Sequence, residues 1–166
     1  DEESFASFIK QKYGSDYDST CNYYRWKMTV SDKDLSSSFD SKISDVGIIQ
    51  NIYVRKRVSG GAAVSVVVEG DKNTVTLDSE SLIRQAFGNA AVTLETNGGT
   101  VNTPYLPSTF CIFESQEKDG EKYFVITGGG FGHGIGMSQN AVNAMTKRGM
   151  SYKDILEFFY PGTKVA

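Results

Sequence analysis

Residues 48–77 read IIQNIYVRKRVSGGAAVSVVVEGDKNTVTL and decide the fold, because strand patterns alternate there with turn signals. Residues 48–58 and 62–69 are rich in β-branched residues, which favour strands, and the Ser-Gly-Gly between them is typical of a hairpin turn. A Gly-Asp-Lys-Asn turn follows, and Val75 alternating with Leu77 indicates a third strand. The stretch therefore predicts an antiparallel β-meander with short connections.

The segments that flank this meander add helices and further strands. Asp78 or Ser79 is a suitable N-cap for a short helix that ends at Phe87, just before a glycine. Residues 109–114 and 122–127 have strand patterns on either side of a Lys-Asp-Gly turn. The predicted fold class is therefore α+β, an antiparallel β-meander with short helices.

The first part of the chain is more polar and gives weaker signals. Apolar residues at helical spacing predict a short lead-in helix over residues 1–14. The aromatic run that begins at Tyr23 and continues through Val30 alternates with polar residues, so we expect an edge strand there. The serine run at residues 36–38 is typical of a loop.

Length and composition limit the class of protein. With 166 residues and 39% hydrophobic residues, the chain is long enough for one globular domain with a real core, which excludes a disordered tail or a coiled coil. The formal net charge is −3, and both signs are interspersed, so no basic surface for nucleic acid is expected. No apolar stretch approaches the ~20 residues of a membrane-spanning helix.

The most unusual segment is residues 127–139, here called the glycine loop, which contains six of the 17 glycines and the only histidine. Such glycine density between a strand and a helix indicates either backbone amides exposed to a ligand or a tightly packed connection. A phosphate-binding loop is the obvious alternative, but the Gly-Lys-Ser/Thr ending and a dinucleotide fingerprint are missing. No cofactor is therefore expected.

Two further helices are predicted after the glycine loop. The first carries Met137, Ala141 and Met145 on one side and ends near Gly149. The second follows a capping-box pattern that begins at Ser151. Both C-terminal helices are short and amphipathic.

Several motifs in this region, in this order and spacing, resemble the C-terminal signature of the SpoIID/LytB family (stage II sporulation protein D and amidase enhancer). They are Gly132-His133-Gly134-Ile135-Gly136-Met137-Ser138-Gln139, then Ser151-Tyr152 with Ile155-Leu156, and Phe159-Tyr160-Pro161-Gly162-Thr163. Weaker similarities lie upstream at Arg57-Val58-Ser59-Gly60, Ile83-Arg84, Phe87-Gly88 and Ser108-Thr109-Phe110. The resemblance implies the C-terminal part of a SpoIID/LytB-like domain over residues 21–166, which leaves residues 1–20 as a lead-in helix and linker.

The resemblance also implies an exported protein that acts on peptidoglycan, since sporulation members are lytic transglycosylases and relatives are amidase enhancers. The family's glutamate-bearing segment, and the cysteine and histidine zinc ligands of some members, have no counterpart in this sequence. Gln139 is moreover followed by Asn-Ala-Val in place of the family's Tyr-Gly-Ala. No catalytic residue and no metal ligand are therefore assigned, and we expect Asp1 to lie inside a longer gene product.

Four scattered glutamates are the remaining candidates for a general acid, which a lytic cleavage of glycan requires. None lies in a recognisable motif, so a surface role is expected for Glu80, Glu95, Glu114 and Glu157. A lone His133 also lacks a nucleophile-elbow partner, and with two cysteines it does not complete a structural zinc site.

The predicted substrate-binding residues are His133, Ser138 and Gln139, with Gly132 and Gly134 bringing the backbone close to a glycan strand. The alternative is that His133 and Gln139 only satisfy backbone groups of the glycine loop. Two functions remain open: a domain that binds or remodels glycan strands, and a non-catalytic amidase-enhancer or structural module. The expected partners are peptidoglycan glycan strands and other cell-wall hydrolases, with no nucleic acid and no membrane span.

The expected location is extracellular or in the cell envelope, where oxidising conditions permit disulfides. Cys21 and Cys111 are the two cysteines of the sequence. They are too few for a disulfide scaffold, and an oxidising compartment permits one bridge between them, so both a bridge and two free thiols remain open.

Overall fold

The computed structural model describes residues 1–165, and their side chains apart from those of residues 89–92. The helices are α1 (Glu2–Lys10), α2 (Asp32–Lys42), α3 (Glu80–Phe87), α4 (Gln139–Lys147) and α5 (Tyr152–Phe159). The strands are β1 (Trp26–Ser31), β2 (Ile49–Arg57), β3 (Ala63–Gly70), β4 (Thr74–Leu77), β5 (Asn89–Thr96), β6 (Gly99–Thr103), β7 (Cys111–Lys118) and β8 (Glu121–Gly128).

The strands form two antiparallel sheets. One has three strands in the order β2-β3-β4, which is the predicted meander, and the other has five strands in the order β6-β5-β1-β8-β7. The α+β class and the two C-terminal helices are confirmed. The five-stranded sheet is built differently from the meander, because β1 lies between two hairpins that follow it much later in the chain.

Asp1 caps α1, and serine side chains cap the four helices that follow it. In α2, α3, α4 and α5 the hydroxyl of the residue before the helix accepts a hydrogen bond from the backbone N–H three residues on. These caps are Ser31, Ser79, Ser138 and Ser151. The Ser151 cap is a full capping box with Asp154, as its sequence pattern predicts.

One hydrophobic core joins both sheets to α2 and α3. Trp26, Met28 and Val30 supply the buried face of β1, while the exposed residues between them point the other way. Phe87 of α3 lies at the centre of an aromatic group, with its ring 5.3 Å from that of Phe39 and 4.8 Å from that of Phe113. This core holds the strands that lead into the glycine loop.

Two predictions for the first part of the chain are wrong. The aromatic run forms β1, which is a central strand rather than an edge strand, because β5 and β8 pair with its two sides. Alternation of apolar and polar residues indicates that one face of a strand is buried. It does not indicate whether one or two strands pair with it. The serine run at residues 36–38 lies inside α2, where Leu35 and Phe39 anchor one helical face in the core.

Of the two states left open for Cys21 and Cys111, the structure has two free thiols. Cys111 is fully buried in the core, where it pairs with Gly128 across the β7–β8 ladder. Cys21 lies half-buried in the turns before β1, where its carbonyl accepts from the backbone N–H of Tyr24 and from the side chain of Asn97. The core thus encloses one thiol, and the surface turns hold the other.

The lead-in helix is shorter than predicted, and it is docked rather than free. α1 ends at Lys10, and Ile9 is completely buried. Arg57 of β2 forms an ion pair with Glu2, donates to the carbonyls of Gly61 and Cys111, and lies 3.9 Å from the ring centroid of Phe5. These contacts attach α1 to both sheets.

The C-terminal helices contact the remainder of the chain through Tyr17. Its hydroxyl donates to the Met150 sulfur at 3.5 Å, and its ring lies 4.6 Å from the Arg148 guanidinium and 5.9 Å from the Phe158 ring. Ala141, Met145 and Ile155 are the buried residues of α4 and α5. This helical pair therefore extends beyond the main core while remaining attached to the turns before β1.

Candidate functional site

The start of the glycine loop is fixed by close packing against β1. Gly128 pairs with Trp26 across the β1–β8 ladder, and a Cβ on Gly128 would overlap the Trp26 indole ring. A Cβ on Gly129 would stand 2.8 Å from the Tyr24 carbonyl oxygen. At these two positions the glycines are required by neighbouring atoms, as expected for a tightly packed connection.

Hydrogen bonds continue the attachment through the next residues. The backbone N–H of Gly130 donates to the Tyr23 carbonyl at 2.7 Å, and the Trp26 indole N–H donates to the Gly130 carbonyl at 3.1 Å. The Gly132 N–H donates to the carbonyl of Pro107 at 2.9 Å, and Ser108 donates to the Gly129 carbonyl at 2.7 Å. Every one of these partners lies in β1, the residues just before it, or the segment before β7.

The middle of the glycine loop is open to solvent. Gly132 and Gly134 have φ values of +128° and +75°, and a Cβ on either would meet no other atom within 4 Å. Glycine is therefore required at both positions by the backbone conformation and not by crowding. Neighbouring backbone groups in this segment remain accessible to a ligand.

His133 lies exposed in this open segment. Its Nδ1 accepts a hydrogen bond of 3.0 Å from the backbone N–H of Ile135. In the neutral imidazole the proton is then carried by Nε2, because Nδ1 is the acceptor. The side chain thus partly satisfies the loop backbone, as the alternative interpretation holds, while its Nε2–H has no partner among the described residues.

Ser138 and Gln139 differ in how far the fold uses them. The Ser138 hydroxyl caps α4 by accepting from the Ala141 N–H at 3.2 Å, although its own O–H is still able to donate. Gln139, the first residue of α4, is exposed, and its amide makes no hydrogen bond to any group that the structure describes. Together with His133 it gives the loop exposed donors and acceptors.

Apolar residues of the glycine loop are also exposed, and the predicted site did not include them. The side chain of Ile135 is 80% exposed and that of Phe131 is 57% exposed. The Phe131 ring lies 4.8 Å from that of Tyr23, and the Tyr160 hydroxyl is 3.6 Å from where a Cβ on Gly136 would stand. Hydrophobic side chains are usually buried, so sequence reasoning had no reason to expect these two to be exposed.

The four glutamates considered as general acids are all paired with the side chain of a lysine or an arginine. Each forms an ion pair: Glu80 with Arg84 at 2.9 Å, Glu95 with Lys27 at 3.5 Å, Glu114 with Lys10 at 2.7 Å and Glu157 with Lys164 at 2.9 Å. The Lys164 ammonium and the Val165 N–H hold the pKa of Glu157 below its usual value, whereas a general acid needs a raised pKa. No glutamate of the set lies in the glycine loop.

Other site types find little support in the described part of the chain. Residues 1–165 contain no group of three or more His, Cys, Asp or Glu side chains arranged to hold a metal ion. A groove of about 640 Å³ lies between α1 and β2, but none of its lining residues belongs to the glycine loop. No helix among these residues is both long and apolar enough to cross a membrane.

Comparison with known proteins gives short but substantial matches. An amidase enhancer of Bacillus subtilis (strain 168) is 55% identical over 47 residues, a match that covers 28% of this chain and 6% of that protein. The stage II sporulation protein D of Bacillus subtilis (strain 168) and that of Bacillus amyloliquefaciens are each 46% identical over 41 residues, which is 25% of this chain and 12% of each relative. The chain is thus related, over a short segment, to SpoIID/LytB-like proteins that it matches over only a small part of their length.

A family model gives the broader match. The model described as a domain of unknown function (DUF8618) matches residues 1–136, from α1 to within the glycine loop. Because this match covers most of the sequence, the chain belongs to the DUF8618 family.

Proposed function

We propose that the chain binds the glycan strands of peptidoglycan through the glycine loop, as the C-terminal part of a SpoIID/LytB-like domain in the cell envelope. The observation that carries the proposal is the exposed His133, whose Nδ1 is fixed by the Ile135 N–H while its Nε2–H is free to donate. The partial similarity to proteins named amidase enhancer and stage II sporulation protein D supports this assignment.

The polar groups of the loop suit the polar groups of an N-acetylated sugar. The His133 Nε2–H offers a donor for a hydroxyl or acetamido oxygen, and the Gln139 amide offers both a donor and an acceptor. The Ser138 O–H adds a donor while its oxygen keeps the α4 cap. Gly132 and Gly134 have no Cβ, and no other atom lies within 4 Å of where one would stand, so a sugar ring can approach the backbone closely at these two positions.

The proposed activity is binding without cleavage by this chain. Glycan cleavage needs a carboxylic acid that stays protonated near neutral pH, and the four candidate glutamates are paired with lysine or arginine. A second function, a non-catalytic module that enhances a cell-wall amidase, is favoured by the 55% identity to a protein of that name. In that case the loop brings a partner hydrolase to its substrate.

The test is a direct binding measurement with glycan strands stripped of their stem peptides. Replacing one hydrogen-bonding side chain typically removes about 0.5–1.5 kcal/mol, so Gln139→Ala is expected to weaken binding about 2- to 10-fold. Gln85→Ala is the matched control, because Gln85 is an exposed glutamine on α3 whose amide bonds only Ser81. Equal affinities for the parent, Gln139→Ala and Gln85→Ala would count against the loop as the site.

A further inference from the structure

We propose that Phe131 is a stacking platform for one sugar ring of the bound strand, with Tyr23 as its support. This inference rests on the proposed function and adds the residue that would recognise the apolar face of the sugar. Pyranose rings present C–H groups on their faces and hydroxyls around their rim. A site for such a ring therefore needs an aromatic surface beside hydrogen-bonding groups.

The position of Phe131 is determined by the backbone on both sides of it. The Gly130 N–H donates to the Tyr23 carbonyl at 2.7 Å, and the Gly132 N–H donates to the Pro107 carbonyl at 2.9 Å. The Gly130 carbonyl also accepts from the Trp26 indole. Phe131 thus lies between two anchored residues, which pre-organises it and reduces the entropy cost of binding.

The ring is supported and yet remains open. Tyr23 packs against the main core and lies 4.8 Å from Phe131 with an angle of 49° between the ring planes. Despite this contact, 57% of the Phe131 side chain is exposed. A large aromatic side chain held at a fixed exposed position is a feature of binding surfaces rather than of cores.

The surroundings of Phe131 favour an uncharged sugar as the occupant. Residues 127–139 contain no Asp, Glu, Lys or Arg, so the loop has no charge with which to attract a phosphate or an anionic membrane surface. His133 and Gln139 supply polar groups in the same loop, and the Tyr160 hydroxyl lies beside Gly136. An N-acetylglucosamine unit combines an apolar face with this polar rim.

The experiment titrates N-acetylglucosamine tetrasaccharide and stripped glycan strands into the parent, Gln139→Ala and four further variants. Phe131→Ala and Phe131→Leu are each expected to weaken binding of both ligands about 5- to 10-fold, because neither keeps an aromatic face. Phe131→Trp is expected to keep the affinity, and its fluorescence should change on titration. Phe158→Ala is the matched control, since Phe158 is 56% exposed and touches Tyr17 in a similar aromatic pair but lies on α5.

The possible results separate this inference from the proposed function. Parental affinity in Phe131→Ala, together with weakened binding in Gln139→Ala, would overturn the stacking role alone. Parental affinity in Phe131→Leu would show that any apolar side chain suffices, which also overturns it. A parent that binds neither ligand would overturn the proposed function itself. Equal losses in Phe131→Ala and Phe158→Ala would show that the effect is not specific to Phe131, which overturns the stacking role as well.

Discussion

The Trp26 indole N–H donates a 3.1 Å hydrogen bond to the Gly130 carbonyl, which joins the central strand of the larger sheet to the glycine loop. The same indole covers Gly128, so one side chain both packs against the loop and bonds it. Because Trp26 is itself buried in the core, the loop is attached directly to that core. The core therefore holds the exposed residues of the glycine loop in position.

Replacing Trp26 with phenylalanine should destabilise the protein and loosen the glycine loop. The change removes the indole N–H and part of the ring, so we expect a loss of about 1–3 kcal/mol in the free energy of unfolding. Urea unfolding of the parent and the variant measures this loss. Tyr152→Phe, at an exposed position on α5, is the control and should change little. A Trp26→Phe variant as stable as the parent would contradict the anchoring role.

Gly128→Ala should be among the most damaging small changes in the loop. The added methyl group would overlap the Trp26 ring, which is fixed by the core and unable to move aside without cost. Overpacking of this kind typically costs about 1–3 kcal/mol. Gly14→Ala is the matched control, because a Cβ there meets no atom within 4 Å and no positive φ is required. Equal melting temperatures for the two variants would refute the close packing at Gly128.

The Cys111 thiol should make stability depend on pH under alkaline conditions. Burial raises the pKa of Cys111 from 9.0 to about 12 in the folded protein. Below pH 9 the thiol is protonated in both states, whereas between pH 9 and 12 only the unfolded chain releases the proton, so stability falls as the pH rises. Urea unfolding from pH 8 to pH 10.5 should show a smaller decline for Cys111→Ala than for the parent. Parallel declines would contradict this assignment.

Alkylation provides a second test of the two thiols. Cys21 is half-buried near the surface, while Cys111 is enclosed, so iodoacetamide at pH 8 should modify Cys21 first in the folded protein. Both thiols should react in urea. The intact mass measured without reductant should equal that of the fully reduced chain. A mass lower by two hydrogens would show that Cys21 and Cys111 form a disulfide.

The chain should not cleave glycan strands on its own. A cationic partner favours the ionised carboxylate, whereas a general acid must be protonated. Such a partner is paired with each of Glu80, Glu95, Glu114 and Glu157. Incubation with stripped strands, followed by mass spectrometry of anhydro-sugar ends, should give no product above a heat-denatured control. Product that disappears when one of these glutamates is replaced by glutamine would contradict the account.

Sequence patterns predicted the local elements better than their arrangement. The β2-β3-β4 meander was predictable because short turns force neighbouring strands to pair. The central place of β1 was not, because its partners β5 and β8 come from distant parts of the chain. The β5–β6 hairpin was also missed, although Asn97-Gly98 between the strands is a typical two-residue turn signal.

In the candidate site too, local features were predictable from the sequence and the tertiary arrangement was not. The glycine content of residues 127–139 indicated an unusual backbone, but composition does not separate glycines needed for packing from those needed for backbone conformation. The neighbours of Gly128 and Gly134 make that distinction, since one faces the Trp26 ring and the other faces open space. The Nδ1 contact of His133 and the exposure of Phe131 likewise depend on tertiary placement.

The most direct test of the glycan-binding loop is a paired measurement of affinity and melting temperature in His133→Asn. Asparagine places an acceptor where Nδ1 bonds the Ile135 N–H, but it lacks the Nε2–H that we assign to the sugar. We predict that stripped glycan strands bind His133→Asn about 3- to 10-fold more weakly than the parent, with a nearly unchanged melting temperature. A variant that binds as tightly as the parent would contradict the account, and one that also melts earlier would show that His133 serves the loop backbone alone.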